Sequence, residues 1–341
     1  MKIISLFNHK GGVSKTTTTF NLGWALAEKD YKTLIVDADP QCNLTGLVAD
    51  YNAIEDLEDF YSQNPRCDLY SCVSSVLNGT QEELQPASPI STSQENLYLL
   101  AGHIALAQSE TQVAVAIGAG ASLPAMRNIP GCFGSLLRLT AQEMQIDYIL
   151  VDMSPSVGAF NQSLLMTSDY FIVPTFPDFF CEQAIKSLRN VLPDWNDQIV
   201  PFRHNELRYS FPSEPPKFIG ILSQKYRPRS GAPASSFQKW IDRIKTTVRS
   251  HLIPVLDPIG MTISEEVFRA AVSTDTPYNM ANIADFNSLI AQSQKYNVPI
   301  FALSDTQIEQ AGVILDNIKE SRNNFRVVFE ELAEDVVQLA Q

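Results

Sequence analysis

No two cysteines in this sequence stand two residues apart, and the total of five, at positions 42, 67, 72, 132 and 181, is odd. That argues against zinc or iron–sulfur ligation and fits free thiols of a reducing compartment better than a disulfide framework. Charge is thin as well. Only 18% of residues are Asp, Glu, Lys or Arg and the formal net charge is −13, which argues against a generally cationic nucleic-acid coat. Long apolar runs are missing: Ile3 to Phe7 is interrupted by Asn8, His9 and Lys10 too soon to form a signal peptide. The nearly charge-free stretch Val113 to Met126 is too short to span the roughly 30 Å hydrocarbon layer as a helix. A cytoplasmic chain that crosses no membrane is therefore expected. Apolar side chains are plentiful, at 45% of 341 residues, which excludes a disordered tail protein.

Short apolar runs alternate with longer helical patterns, the signature of a parallel sheet covered on both faces. Strands are predicted at Ile3–Phe7, Thr33–Asp37, Leu97–Leu100, Tyr148–Asp152, Phe171–Thr175 and Phe218–Leu222, and a helix at Lys15–Glu28. Phe325, Phe329, Leu332, Val336 and Leu339 fall at helical spacing and predict a last helix packed on the sheet. The Ala/Gly/Pro-rich passage from Gly118 to Gly131 reads as a surface loop or a lid, and Pro201 to Pro216 as a second irregular stretch.

The first strand is followed at once by Asn8-His9-Lys10-Gly11-Gly12-Val13-Ser14-Lys15-Thr16-Thr17 and then by the helix. Strand, glycine-containing loop and helix form the setting of a phosphate-binding loop. Backbone N–H groups converge on phosphate oxygens, the helix N-terminus adds positive potential, and Lys followed by Thr offers a point charge and a Mg²⁺ ligand. The strict pattern G-x-x-x-x-G-K-[ST] fails at both glycines, where His9 and Ser14 stand. The segment K-G-G-V-x-K-T-T instead resembles the deviant Walker A motif of the ParA/Soj/MinD class of ATPases. Leu34 to Thr45 resembles that family's D-x-D-P-Q-x-N-x-T segment, and Asp147 to Ser156 its Walker B strand ending in Asp152. Phe268-Arg269-Ala270-Ala271 is similar to a stretch near the adenine pocket of the Soj branch.

The resemblance implies an α/β fold, a doubly wound, mostly parallel sheet flanked by helices. It implies one P-loop ATPase domain over 1–341, longer than a compact Soj-like protein through surface insertions near 105–135, 195–216 and 282–320. It further implies ATP and Mg²⁺ as ligands, held by Lys10, Gly11, Gly12, Val13, Ser14, Lys15, Thr16 and Thr17. Lys15 would serve its own nucleotide at the β- and γ-phosphates, Thr16 the metal and Thr17 the α-phosphate. Lys10 would reach across a homodimer to the partner's nucleotide. Asp39 matches the catalytic aspartate, and Asp39 and Asp152 would support the metal. Ser14 replaces the family's usual Gly, yet its backbone amide remains available if it adopts the required φ and ψ.

Charge is unevenly spread. Residues 201–250 hold Arg203, Arg208, Lys217, Lys225, Arg227, Arg229, Lys239, Arg243, Lys245 and Arg249 against three acids, a local net of +7, while the other 291 residues net −20. Such a segment can bind polyphosphate by counterion release without reading bases, which fits non-specific DNA binding by an ATP dimer. The competing reading is that Lys239, Arg243 and Lys245 simply solvate one helix around Trp240 and Ile244. The resemblance also implies a ParB-like adaptor that stimulates slow hydrolysis. No helix-turn-helix precedes the first strand, so operator binding is not expected. The acidic terminal stretch Glu330 to Asp335 disfavours the membrane-bound MinD branch. Three functions stay open: DNA cargo segregation, a nucleotide-switched scaffold such as an immunity regulator, and a metabolic kinase or amidoligase of dethiobiotin-synthetase type. The last would leave Lys10 without a trans task. His103, His204 and His251 read as ordinary residues; His9 differs only in flanking the loop.

Overall fold

The computed structural model describes residues 1–49, 57–80, 83–119, 123, 126–229, 232–274 and 276–341. The chain begins with β1 (Lys2–Leu6), α1 (Lys15–Glu28), β2 (Thr33–Ala38), α2 (Asn43–Val48), α3 (Leu57–Gln63), α4 (Leu69–Leu77), β3 (Ile90–Ser91) and β4 (Leu97–Leu100). Next come α5 (Leu106–Ala119), α6 (Cys132–Met144), β5 (Tyr148–Met153), α7 (Ala159–Thr167), β6 (Tyr170–Thr175) and α8 (Phe179–Ile199). The remainder holds β7 (Lys217–Tyr226), β8 (Pro228–Arg229), β9 (Ala232–Pro233), α9 (Ser235–Thr247), α10 (Ile253–Leu256), α11 (Glu265–Ala271), β10 (Asn279–Ala284), α12 (Leu289–Tyr296) and α13 (Gly312–Leu339).

Eight strands make one sheet in the order β10-β7-β6-β1-β5-β2-β4-β3, with every pairing parallel except β3 to β4. The central strands β2 and β5 are buried along their whole length, because helices cover both faces. β1 lies between β6 and β5 while the chain leaves it for β2, two places away. In such a sheet, the crevice outside the carboxyl ends at the point where the winding reverses is where ligands bind.

All six predicted strands are present, and α1 has the predicted ends. β10 was not foreseen: it is an edge strand interrupted by Asn279 and Asn282, so it offers no continuous apolar run. The stretches expected as surface insertions are anchored in the core. Around 105–135, Leu106, Val113, Ala116, Ile129 and Phe133 are buried; Phe202, Tyr209 and Phe211 are buried in the proline-rich stretch; Phe286, Leu289, Ile300 and Phe301 are buried beyond 282. Of the Gly118–Gly131 passage, residues 120–122 and 124–125 lie outside the described residues, while Ile129, Pro130 and Gly131 are buried rather than on the surface. The five residues that predicted the last helix are all buried in α13, which packs on α1 and β10. Among the described residues no helix is long and apolar enough to cross a membrane.

Candidate functional site

The loop from β1 to α1 is tied to the neighbouring strand by Asn8, whose Nδ2 donates to the Pro174 carbonyl at 2.8 Å while its Oδ1 accepts from the Lys10 amide at 2.9 Å. Gly12 (φ 76°) and Ser14 (φ 60°, ψ 31°) both take the left-handed conformation that turns the chain into α1. Ser14 thus adopts, at some strain, the geometry for which glycine is the usual choice. Its hydroxyl is buried without a hydrogen-bond partner.

Lys15 opens α1 and is only 7% exposed. Its Nζ donates to the Asn8 carbonyl at 3.0 Å and approaches the Lys10 carbonyl at 3.5 Å. Burial lowers its pKa, and the negative charges of Asp152 and Asp39 oppose that shift. The pKa of His9 beside it is lowered too, first by burial and then by the Lys15 charge.

Sheet register sets the acidic side of the site. Asp37 of β2 stands directly opposite Asp152 of β5, so two carboxylates meet at the strand ends. Asp37 is satisfied: its Oδ2 accepts from both the Thr45 amide and the Thr45 hydroxyl at 2.7 Å, and its Oδ1 from the Asp39 amide at 3.2 Å. Burial pushes its pKa up to about 6 despite those bonds. Asp152 is 1% exposed and neither carboxylate oxygen has a hydrogen-bond partner. Burial, then the charge of Asp37, pushes it to about 8, opposed by the Thr16 hydroxyl, which lies beyond a full hydrogen bond, and by the Lys15 charge. A buried acid with both oxygens unsatisfied is costly, and a cation nearby would relieve it.

A cavity of 310 Å³ opens here, lined by the loop from Gly11 to Thr17 together with Asp39, Asn43, Leu47, Pro155, Lys225 and residues Ile290, Ser293 and Gln294 of α12. The structure therefore brings Gly11, Gly12, Val13, Ser14, Lys15, Thr16, Thr17 and Asp39 around one space. Asp152 lies at the neighbouring strand end, outside the cavity lining. Lys10 is elsewhere: its Nζ lies 2.5 Å from Asp178 Oδ2, at the start of α8, and 5.2 Å from the Phe176 ring centroid. Larger cavities of 490, 610 and 460 Å³ lie between α13 and β10, beside α9, and between α6 and Arg208 to Ser210, with no phosphate-type loop in any of the three linings.

Hard oxygen donors suit Mg²⁺, which takes few protein ligands and completes its shell with phosphate and water. Thr16, Asp39 and the unsatisfied Asp152 fit that need. Among the described residues no three His, Cys, Asp or Glu side chains are placed to hold a metal by themselves.

Several lining residues escaped the sequence. Lys225, left-handed at φ 58°, is the penultimate residue of β7 and its Nζ donates to the Gly12 carbonyl at 3.2 Å. Its sequence signal was a lysine just after an apolar strand, which had been counted only as part of a basic segment. The α12 residues carry no motif; α12 ends against α2, where Asn297 Nδ2 donates to the Leu47 carbonyl at 2.8 Å. The stretch Phe268 to Ala271, compared above with an adenine-pocket segment, does not line this cavity. Phe268 is buried and packs at 5.4 Å on Tyr278, which precedes β10, so α11 sits at the opposite, amino end of the sheet.

The basic residues of 201–250 do not share one face. Lys217 begins β7 and Lys225 lies next to its last residue. Arg208 pairs with Glu83, Arg203 Nη2 donates to Asn196 Oδ1 at 2.8 Å, and Arg243 pairs with Glu182 at 2.6 Å while lying over Trp240. Lys239, Arg243 and Lys245 do share α9, around buried Ile244 and half-buried Trp240. The Arg229 side chain lies outside the described residues. His103 is satisfied locally, with its Nδ1 accepting from the Ala105 amide at 3.0 Å.

A family model described as an AAA domain matches residues 1–202. The chain is 28% identical over 266 residues to the uncharacterized protein MJECL24 of Methanocaldococcus jannaschii, covering 78% of this chain and 87% of that one. It is 29% identical over 191 residues to the sporulation initiation inhibitor protein Soj of Bacillus subtilis, covering 56% of this chain and 64% of Soj. Among solved structures, an ATP complex of Cyanothece McdA superposes with a TM-score of 0.59 over 94% of this chain and 96% of that one. At 14% identity the likeness is one of fold.

Proposed function

We propose, for a chain that belongs to the AAA domain family and to its ParA/MinD type of P-loop ATPases, that it hydrolyses ATP slowly and cycles between a monomer and an ATP-bound homodimer. The observation that carries this reading is a buried Lys15, within electrostatic reach of the unsatisfied Asp152, under a loop whose backbone lines the cavity. The McdA structure of similar fold holds ATP. Lys15 would meet the β- and γ-phosphates, Thr17 the α-phosphate, and the amides of Gly11 to Ser14 the oxygens between. Thr16, with Asp39 and Asp152, would hold magnesium, which when bound neutralises phosphate charge. Asp39 would orient the water that attacks the γ-phosphate, in a reaction where positioning and charge neutralisation supply nearly all the catalysis. Lys10 would leave Asp178 and neutralise charge on the partner's nucleotide.

Similarity to Soj and the local positive charge support a DNA-bound dimer released by an adaptor, as in plasmid or chromosome partitioning. The scattering of those basic groups over both ends of β7, with Arg208 and Arg243 already paired, favours the second reading, a nucleotide-switched scaffold that controls a protein complex. Duplex binding measured by anisotropy separates them. Binding that requires ATP and weakens steeply with salt supports the partition role; no binding at low salt with a dimer present supports the scaffold.

A further inference from the structure

We propose that Glu110 of α5 is a positioning residue for the loop that follows Asp152, and that it acts by capping α7 from a separate helix. The first amides of a helix have no partner within it, and α7 receives none from its own N-cap, because that residue is Gly158. Glu110 takes the place of the missing side chain. Its Oε1 accepts from the Ala159 amide at 2.6 Å and its Oε2 from the Phe160 amide at 3.0 Å, two charge-assisted bonds at the positive end of the helix.

Gly158 makes this approach possible. Its backbone is extended, at φ −82° and ψ 170°, so no strain calls for glycine; but a Cβ there would lie 2.5 Å from each Glu110 oxygen. The loop upstream is bound to the same helix: Asn161 Nδ2 donates to the carbonyls of Ser154 and Ser156, each at 2.9 Å. Pro155 lies over the phosphate loop, where a Cβ on Gly11 would be 3.8 Å from its own Cβ. The start of α7, the segment from Asp152 to Gly158 and the phosphate loop are thus one packed series, and Glu110 fixes its far end. Just before α5 begins, on the same N-terminal side as Glu110, lies Gly102, whose amide donates to the Thr45 hydroxyl that holds Asp37. The start of α5 and the segment just before it thereby touch the surroundings of both Asp37 and Asp152.

The consequence for hydrolysis rests on the ATPase reading; the consequence for the loop does not. Glu110→Ala, Gly158→Ala and the double variant are compared with the wild type by hydrogen–deuterium exchange of residues 153–160 without nucleotide, and by steady-state ATPase kinetics. Each single variant should speed exchange at Ala159 and Phe160 by about tenfold and lower kcat by about tenfold, with KM for ATP little changed. The double variant should be no worse than either single one, because both remove the same contact. Glu110→Gln, which keeps one acceptor oxygen, should recover part of the loss and serves where Glu110→Ala folds poorly. Unchanged exchange in Glu110→Ala or in Gly158→Ala, or single effects that multiply in the double variant, would overturn the proposal. A wild type that turns over no ATP would remove the hydrolase reading, and the exchange comparison would still decide the cap.

Discussion

Asp152 is a carboxyl enclosed by protein with no hydrogen-bond partner, one strand from a second enclosed carboxyl, Asp37. Both pKa values are raised from 3.8, to about 8 and about 6. A raised carboxyl favours the folded state while neutral, so this contribution is complete below about pH 4 and is lost as pH climbs through the folded values. Without nucleotide and magnesium, the thermal midpoint should therefore fall between pH 5 and pH 8.5. Asp152→Asn should remove the upper part of that fall and raise the midpoint at pH 8 by on the order of 5 °C. An equally steep fall in the variant, followed by differential scanning fluorimetry, would contradict the assignment. Ser14 offers a second residue-level test. Its left-handed backbone costs about 1 kcal/mol relative to glycine, so Ser14→Gly should raise the urea midpoint while preserving the fold. A lowered midpoint would mean that the hydroxyl contributes more to the folded chain than its lack of a partner allows. The phosphate loop was legible because its chemistry is contiguous: Lys10 to Thr17 are neighbours in sequence and in space. Lys225 and Glu110 were not, since each reaches its partner from a distant element and neither belongs to a pattern.

Elements were legible where apolar runs were continuous and hidden where small or polar residues made the contact. α5 buries Leu106, Ser109, Val113 and Ala116 on one face at helical spacing, but Ser and Ala give little hydrophobic contrast, so no helix is legible there within the expected insertion. β10 was lost to its asparagines. α1, by contrast, was unmistakable, and its docking has a sharp dependence on one residue. A Cβ on Gly23 would sit 2.6 Å from Ile35 Cγ2 and 3.3 Å from Leu97 Cδ1, so α1 lies on β2 and β4 with no room for a methyl group. Gly23→Ala should destabilise the chain by about 1 to 3 kcal/mol in urea, despite the better helix propensity of alanine. A stabilised variant would show that α1 can lift without consequence. Because Lys15 and Thr16 open the same helix, nucleotide affinity should weaken alongside stability.

For the whole molecule, the decisive feature is that Lys10 stands apart from the cavity its neighbours line. It lies at the rim beside α8, where Phe179 and Phe180 are 48% and 68% exposed, apolar surface that a second copy could cover. Lys10→Ala should leave nucleotide binding by the single chain intact and abolish the ATP-dependent shift to dimer in sedimentation velocity. A variant that still dimerises with ATP would contradict the trans role. The doubly wound, mostly parallel sheet flanked by helices followed from the sequence pattern and the resemblance together. The cover provided by α12 and the bracing through α5 did not, because both depend on packing between segments far apart in the chain.

Isothermal calorimetry of ADP with magnesium, on the wild type and on Lys15→Ala, tests the central claim most directly. The account predicts one nucleotide per wild-type chain and no measurable heat for a variant that remains folded. A wild type that binds neither ADP nor ATP, or a Lys15→Ala chain that binds as tightly as the wild type, would contradict it.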